Sequence, residues 1–321
     1  MSLALVFPGQ GSQSVGMLGE FAGLHDSVRR TYEEASVVLG YDLWQLTASG
    51  PAEQLNMTEC TQPAMLVAGV ATWRLWREQG GTMPALVAGH SLGEFSALVC
   101  AGALEFAATV KLVRERGRLM QAAVPEGGGA MAAILGLDDV AAEAACIDGA
   151  QGEVVEAVNY NAPGQIVIAG QVRAVERAIA AAKARGAKRA VLLPVSVPAH
   201  SSLLRGAAAQ FKERLADTII ATPRLRYLST VDAAEHGTPE SIRAILGRQL
   251  ASPVRWTTTV QALIAAGARL VAECGPGKVL TALNRRIERG SEVSCVAIED
   301  VASLQAALGA AQLLGGFANV G

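Results

Sequence analysis

The sequence predicts an α/β fold interrupted once by a small inserted subdomain, and three observations carry that reading. Short apolar runs of strand type alternate with helical patterns from Leu3 onward. The stretch Met83 to Gly102 reads as a strand, a G-x-S-x-G turn and a helix. Between residues 130 and 195 the character of the chain changes, and the order of elements there is βαββαβ. Composition agrees. Hydrophobic residues at 51% against 17% charged fill a core, and a 4% aromatic share in an alanine-rich chain favours packed helices over a sandwich.

Leu3 to Phe7 is a buried-type strand ended by the turn Pro8-Gly9-Gln10-Gly11-Ser12-Gln13. That turn is no dinucleotide fingerprint, because the third glycine of G-x-G-x-x-G would fall at Ser14, and no G-K-[ST] follows for a Walker A. Its backbone N–H groups suit an oxyanion better than a polyphosphate. Helical patterns cover Ser27 to Leu39 and Thr61 to Gln79, the second leading through Gly80-Gly81 into the strand Ala85 to Ala88. Gly89-His90-Ser91-Leu92-Gly93 then turns the chain into a helix over Glu94 to Cys100. Such an elbow strains its central serine and presents the hydroxyl at a helix N-terminus, whose free N–H groups can stabilise an oxyanion. Ser91 is the candidate nucleophile; the bland alternative is a serine that caps the helix. The helix Glu105 to Gln121 carries Arg116 on a face shared with Leu112, Val113, Leu119 and Met120. A guanidinium there needs an anion from the protein or from a ligand, unless it snorkels to water.

In the inserted unit, strands are expected at 130–135, 154–158, 166–169 and 190–195, with helices at 138–146 and 172–185. The order is that of the ferredoxin-like split motif, bounded by Pro194 and Pro198. The resulting division assigns 126–196 to the subdomain, and 1–125 with 197–321 to the large domain. The chain returns at Val195-Ser-Val-Pro-Ala-His200, with Ser201 or Ser202 placed to cap a helix striped by Leu204, Ala207, Ala208, Phe211 and Leu215. His200 at that N-terminus is kept neutral by the dipole and able to accept a proton. Its rivals are poorer: His25 and His236 lie in polar segments, and His90 abuts Ser91 with its ring directed away. Further on, Arg224 to Val231 reads as a strand, and Thr238-Pro239-Glu240 as a capped helix start. In that helix Gln249 shares the stripe of Ile242, Ile245 and Leu246, so its amide is either a structural polar knot or the wall of a site. Leu270 to Glu273 is a strand, Asp300 to Leu314 a last helix, and the glycine-rich end is expected to fray.

A net charge of −2 gives no global attraction to nucleic acid or anionic membrane. Five scattered cysteines without a C-x-x-C pair read as reduced core thiols. No uncharged apolar run reaches the ~18 residues of a membrane span, and no basic leader precedes the first strand, so a cytoplasmic protein without metal is expected.

Taken together, FPGQGSQ at 7–13, TQPA at 61–64, GHSLGE at 89–94, Arg116-Gly117, NAPGQ at 161–165, PVSVPAH at 194–200 and QL-x-x-P-V-x-W at 249–256 give the chain its family likeness. It resembles the malonyl-CoA:acyl carrier protein transacylases of type II fatty-acid synthesis over almost its whole length. The resemblance implies an α/β-hydrolase-like large domain with an inserted ferredoxin-like subdomain. It implies an enzyme with no permanently bound cofactor, which takes malonyl from malonyl-CoA onto a serine and passes it to the phosphopantetheine thiol of acyl carrier protein; a monomer is expected, although the sequence itself does not fix the oligomeric state. Carried over by position, Ser91 is the nucleophile and His200 its base. Gln10 and Leu92 supply oxyanion N–H groups. Arg116 holds the malonyl carboxylate, a backbone carbonyl near Gln249 orients His200, and Asn161 lines the cleft. The chain departs from the family pattern at Ser229-Thr230, where paired asparagines are common, at Leu204 for methionine and at Phe95 for tyrosine. A serine hydrolase or thioesterase shares the serine, histidine and oxyanion donors but needs no buried cation. A malonate decarboxylase transacylase subunit or a polyketide loading enzyme could share these motifs. For docking of an acidic carrier, the candidate bases are Lys183, Arg185, Lys188 and Arg189, with Arg285 and Arg286 on the large domain.

Overall fold

The structure is a computed structural model and describes residues 2–316 apart from Glu126, Ser196 and Ser291. Its strands are β1 (Ser2–Phe7), β2 (Leu86–Gly89), β3 (Gly129–Leu135), β4 (Val155–Ala162), β5 (Gln165–Gln171), β6 (Arg189–Leu192), β7 (Arg226–Leu228), β8 (Ala268–Cys274) and β9 (Ser294–Ile298). Five of them form one sheet in the order β7-β2-β1-β8-β9, every pair parallel. The other four form an antiparallel sheet in the order β4-β5-β3-β6, the ferredoxin-like arrangement. Alternation along β1 shows why the parallel sheet is central. Leu3, Leu5 and Phe7 enter one buried cluster with the long helix Thr58–Glu78, while Ala4 and Val6 enter another with Trp256, Val260 and Leu263. Both faces of the sheet are covered. None of the helices among the described residues is long and apolar enough to cross a membrane.

The small sheet packs its helices, Asp139–Ala150 and Val172–Ala184, into a cluster of their own around Ile134, Ile166 and Ile168. Its edge strand β4 reaches the rest of the chain at residues 158–160, where the N–H groups of Tyr160 and Val254 donate to the carbonyls of Val254 and Val158 at 2.9 and 2.8 Å. Several expectations need correction. β4 extends to Ala162, so Asn161 lies in a strand and not in the connecting loop. β6 stops at Leu192 instead of running to Val195. β7 is only Arg226–Leu228, because Ser229 and Thr230 leave the sheet to bind a buried carboxylate. The helices Gly19–Leu24, Leu43–Ser49, Ala52–Leu55 and Trp256–Ala265, together with β9, were not anticipated. The last of those helices begins Trp-Thr-Thr-Thr-Val, whose β-branched run argues locally for a strand until packing overrides it. The final helix is Val301–Gly316, and the fraying expected of the tail beyond it lies outside the described residues.

Candidate active site

The site lies at the carboxyl ends of β1, β2 and β7, where loops leave a parallel sheet. The elbow after β2 is tight because two glycines make it so. A Cβ on Gly89 would sit 1.9 Å from the carbonyl carbon of Gly93, and one on Gly93 would sit 2.0 Å from the Phe7 carbonyl oxygen. Ser91 between them has φ 52°, the left-handed strain that turns its hydroxyl outward. The loop after β1 rides on this elbow, with the His90 N–H donating to the Phe7 carbonyl at 2.9 Å. Among the described residues, the backbone N–H groups of Gln10 and Leu92 donate to no protein acceptor. Both are free to donate to a bound group.

His200 also has a left-handed backbone, φ 67°, and is 5% exposed. Its Nε2 accepts from the Ser91 hydroxyl at 2.8 Å, and its Nδ1–H donates to the carbonyls of Gln249 and Ser252 at 3.0 and 3.1 Å. Two neutral acceptors fix the tautomer, with no carboxylate behind the ring. The reason for its neutrality differs from the dipole argument. A single 3-10 turn, Ser202–Leu204, separates His200 from the helix Arg205–Ala216. Neither serine side chain caps that helix; Ser201 Oγ donates to the Pro198 carbonyl, and the Ser202 N–H goes to Glu156. Burial, and after it the Arg116 charge, push the imidazole down to about 3. The other histidines go elsewhere: His90 Nε2–H donates to Asn161 Oδ1 at 2.9 Å beside Trp256, and His236 pairs with Asp232.

Arg116 is 1% exposed and points inward, as its helix spacing requires. Its guanidinium donates to Ser91 Oγ at 3.2 Å, Gln249 Oε1 at 2.9 Å, Gln62 Oε1 at 3.0 Å and Met120 Sδ at 3.3 Å, and lies 5.5 Å from the Phe95 ring centre. All of these partners are neutral. Its Nε–H is buried with no partner among the described residues. Burial brings its pKa down to about 10, so it stays charged at neutral pH. Phe95, where tyrosine is common, offers the ring face and needs no hydroxyl for that.

Gln249 sits just past the end of the helix Pro239–Arg248, opening a 3-10 turn, and not within the helix stripe as expected. It is fully buried and touches each of the other three groups. The side chain binds Arg116 and donates to the Ser91 carbonyl at 3.0 Å, while its own carbonyl binds His200. Expected as a polar knot or the wall of a site, with a backbone carbonyl near it orienting His200, it ties together nucleophile, imidazole and guanidinium. Gln62 and Glu94 escaped the sequence reading. Both lie inside the quoted motifs TQPA and GHSLGE, but at polar or helix-opening positions where a buried role leaves no local signal. The Ser229-Thr230 pair serves Glu94 and makes no hydrogen bond to His200.

Comparison with known proteins follows this geometry. The acyl transferase domain family matches residues 4–306. Over 305 residues the chain is 54% identical to the malonyl CoA-acyl carrier protein transacylase of Salmonella typhimurium and 52% identical to that of Escherichia coli K12. Each alignment covers 95% of this chain and 98% of the relative. An acyl carrier protein S-malonyltransferase from Vibrio cholerae superposes with TM-score 0.92 at 53% identity, covering 95% of this chain and 99% of its own. A malonyl-transacylase solved in complex with a type II polyketide acyl-carrier protein gives TM-score 0.95 at 51% identity, covering 97% of this chain and all of that one. Alike in sequence along nearly its whole length and alike in fold, the chain belongs to the malonyl CoA-acyl carrier protein transacylase family.

Proposed function

We propose that the protein moves a malonyl group from malonyl-CoA to the phosphopantetheine thiol of acyl carrier protein, in two displacements through Ser91. In the first, His200 Nε2 takes the hydroxyl proton as Ser91 Oγ attacks the thioester carbonyl carbon. The carbonyl π electrons move to oxygen, which the N–H groups of Gln10 and Leu92 receive. Collapse breaks the C–S bond, and the departing CoA thiolate takes the proton from His200. In the second, the carrier thiol gives its proton to His200, sulfur attacks the ester carbonyl, and Ser91 leaves and recovers a proton. Arg116 holds the free malonyl carboxylate throughout, its idle Nε–H and one terminal NH₂ forming a fork suited to two oxygens. Asn161 acts through His90, steadying the elbow from β4.

One observation carries this reading: Ser91 Oγ lies 2.8 Å from a neutral imidazole and 3.2 Å from a buried guanidinium whose direct hydrogen-bond partners are all neutral. A hydrolase needs the first contact and not the second. Intact mass spectrometry tests it. Wild type mixed with malonyl-CoA alone should gain one malonyl group, and carrier protein should remove it; steady release of free malonate without carrier would return the hydrolase reading.

Sheet β4-β5-β3-β6 with its own apolar cluster supports reading 126–196 as an insertion between 1–125 and 197–321. Free thiols at all five cysteines fit the reducing cytoplasm.

Because burial and the Arg116 charge lower the His200 pKa, the ring stays unprotonated, and able to act as base, far below the ordinary value of about 6.5. kcat/KM for acylation is therefore expected to hold level as pH falls through 6.5. An acid limb centred there would mean a solvated ring.

The carrier-docking bases sort themselves in the structure. Arg185 pairs with Asp148, and Arg285 is spent on the Cys295 carbonyl. Lys188 packs over Gly136, Gly136 N–H donates to the Gly164 carbonyl at 2.8 Å, and the next residue, Gln165, accepts from Arg286 at 2.8 Å. Lys188 and Arg286 thus border the same end of the small sheet's strands. Reversing Lys188 and Arg189 to glutamate should raise KM for carrier several-fold at low salt and flatten its salt dependence, because steering fades as the Debye length shrinks to about 10 Å at 0.1 M. Acylation by malonyl-CoA should not change. Unaltered carrier kinetics in that variant would move docking away from this edge.

A further inference from the structure

Glu94 is a fully buried carboxylate in the first turn of the elbow helix, three residues after Ser91. None of the ion pairs among the described residues includes it. Four donors converge on it. The hydroxyls of Tyr227 and Ser229 reach Oε2, the latter at 3.0 Å, and the Thr230 hydroxyl and N–H reach Oε1, the N–H at 3.0 Å. Ser229 Oγ itself accepts the Val231 N–H, which leaves its proton free for Glu94. The Thr230 N–H can only donate, and the three hydroxyls can turn their protons to the same two oxygens, a surrounding that suits an ionised carboxylate. Burial pushes the Glu94 pKa up, and these donors oppose it. Glu94 belongs to the network that holds Arg116, whose direct partners are all neutral: the Glu94 N–H and the Gln249 amide both donate to the Ser91 carbonyl, at 3.1 and 3.0 Å, and Gln249 Oε1 accepts from Arg116 at 2.9 Å. The Glu94 charge favours the charged guanidinium against its burial.

We propose that Glu94 is a positioning residue that sets the net charge of the acyl-tail pocket, as the counter-ion that Arg116 feels at a distance. The proposal rests on the reading that Arg116 receives the acyl carboxylate. With Glu94 in place the pocket is neutral when empty and carries one negative charge when malonyl is bound. Without it, the empty pocket is positive and malonyl neutralises it. The carboxylate therefore tempers the grip of Arg116 on its ligand, so that the acyl group is selected but not trapped.

The test is Glu94→Gln beside Glu94→Asp, with single-turnover acylation by malonyl-CoA and acetyl-CoA. The amide keeps the shape, and the three hydroxyls can rotate to accept from it. Glu94→Gln should raise the malonyl-to-acetyl ratio about tenfold, as removal of a nearby charge in a buried pocket requires, while Glu94→Asp should keep the wild-type ratio. If Glu94→Gln slows both substrates in parallel and leaves the ratio fixed, the residue is only structural and the proposal fails. Should that variant not fold, the Glu94→Gln/Arg116→Gln double variant decides. Opposite charges removed together should melt no lower than Arg116→Gln alone, and melting losses that simply add would overturn the proposal. If Arg116→Ala itself leaves the malonyl-to-acetyl ratio unchanged, it is the assignment of Arg116 that falls.

Discussion

Ser91→Ala should bring malonyl transfer down by on the order of 10⁴-fold or more and leave no acyl adduct on the protein, the largest single effect expected at this site. The elbow strains the backbone of Ser91 whichever side chain it carries, and the oxyanion donors, Arg116 and Gln249 keep their places without the hydroxyl. Malonyl-CoA should therefore bind the variant almost as well as wild type, so the loss falls on kcat and not on affinity. What the alanine removes is the atom shared by His200 Nε2 and the Arg116 guanidinium. Intact mass after mixing with malonyl-CoA, together with binding of the thioester by calorimetry, separates the two quantities. A Ser91→Ala protein that still gains one malonyl group would place the nucleophile elsewhere.

How much of this was legible beforehand follows from how local each signal is. The elbow could be read directly, because G-x-S-x-G between an apolar strand and an apolar helix writes its geometry into adjacent residues. Arg116 could be read from one helix, since 3.6-residue periodicity alone puts it among Leu112, Val113 and Met120. Glu94 gave no such signal, because a carboxylate in the first turn of a helix is the ordinary placement that the dipole favours. Its partners Tyr227, Ser229 and Thr230 are more than 130 residues away, and no periodicity connects such distant segments. The same distance explains why Arg224 to Val231 looked like one strand. Ser229 and Thr230 have strand propensity, and only the carboxylate across the interior draws them off the sheet. The structure brings His200 to Ser91, and it gives another reason for the neutrality of the ring. A helix dipole was invoked, whereas the ring is neutral because it is buried beside a fixed cation.

Arg116→Ala should cost malonyl-CoA roughly a hundredfold in kcat/KM, on the order of 3 kcal/mol for a desolvated charge pair, while acetyl-CoA is spared or improved. The asymmetry comes from what the guanidinium does in each complex. In the free enzyme it spends one N–H on Ser91 Oγ and others on Gln62 and Gln249, and its Nε–H has no partner. On the proposed reading, a malonyl carboxylate would take up the unused donor and draw the arginine from the nucleophile. An acetyl group offers no such replacement, and the cation remains on the oxygen that must attack. Removing it also relieves His200 of the charge that, after burial, most depresses its basicity. Acetyl-CoA thus loses nothing and gains a stronger base, while malonyl-CoA loses its only countercharge. Parallel single-turnover acylation with the two thioesters measures the split directly. Equal losses for both would mean that Arg116 only holds Gln62 and Gln249 apart, and that the preference for a carboxylated acyl group originates elsewhere in the cleft.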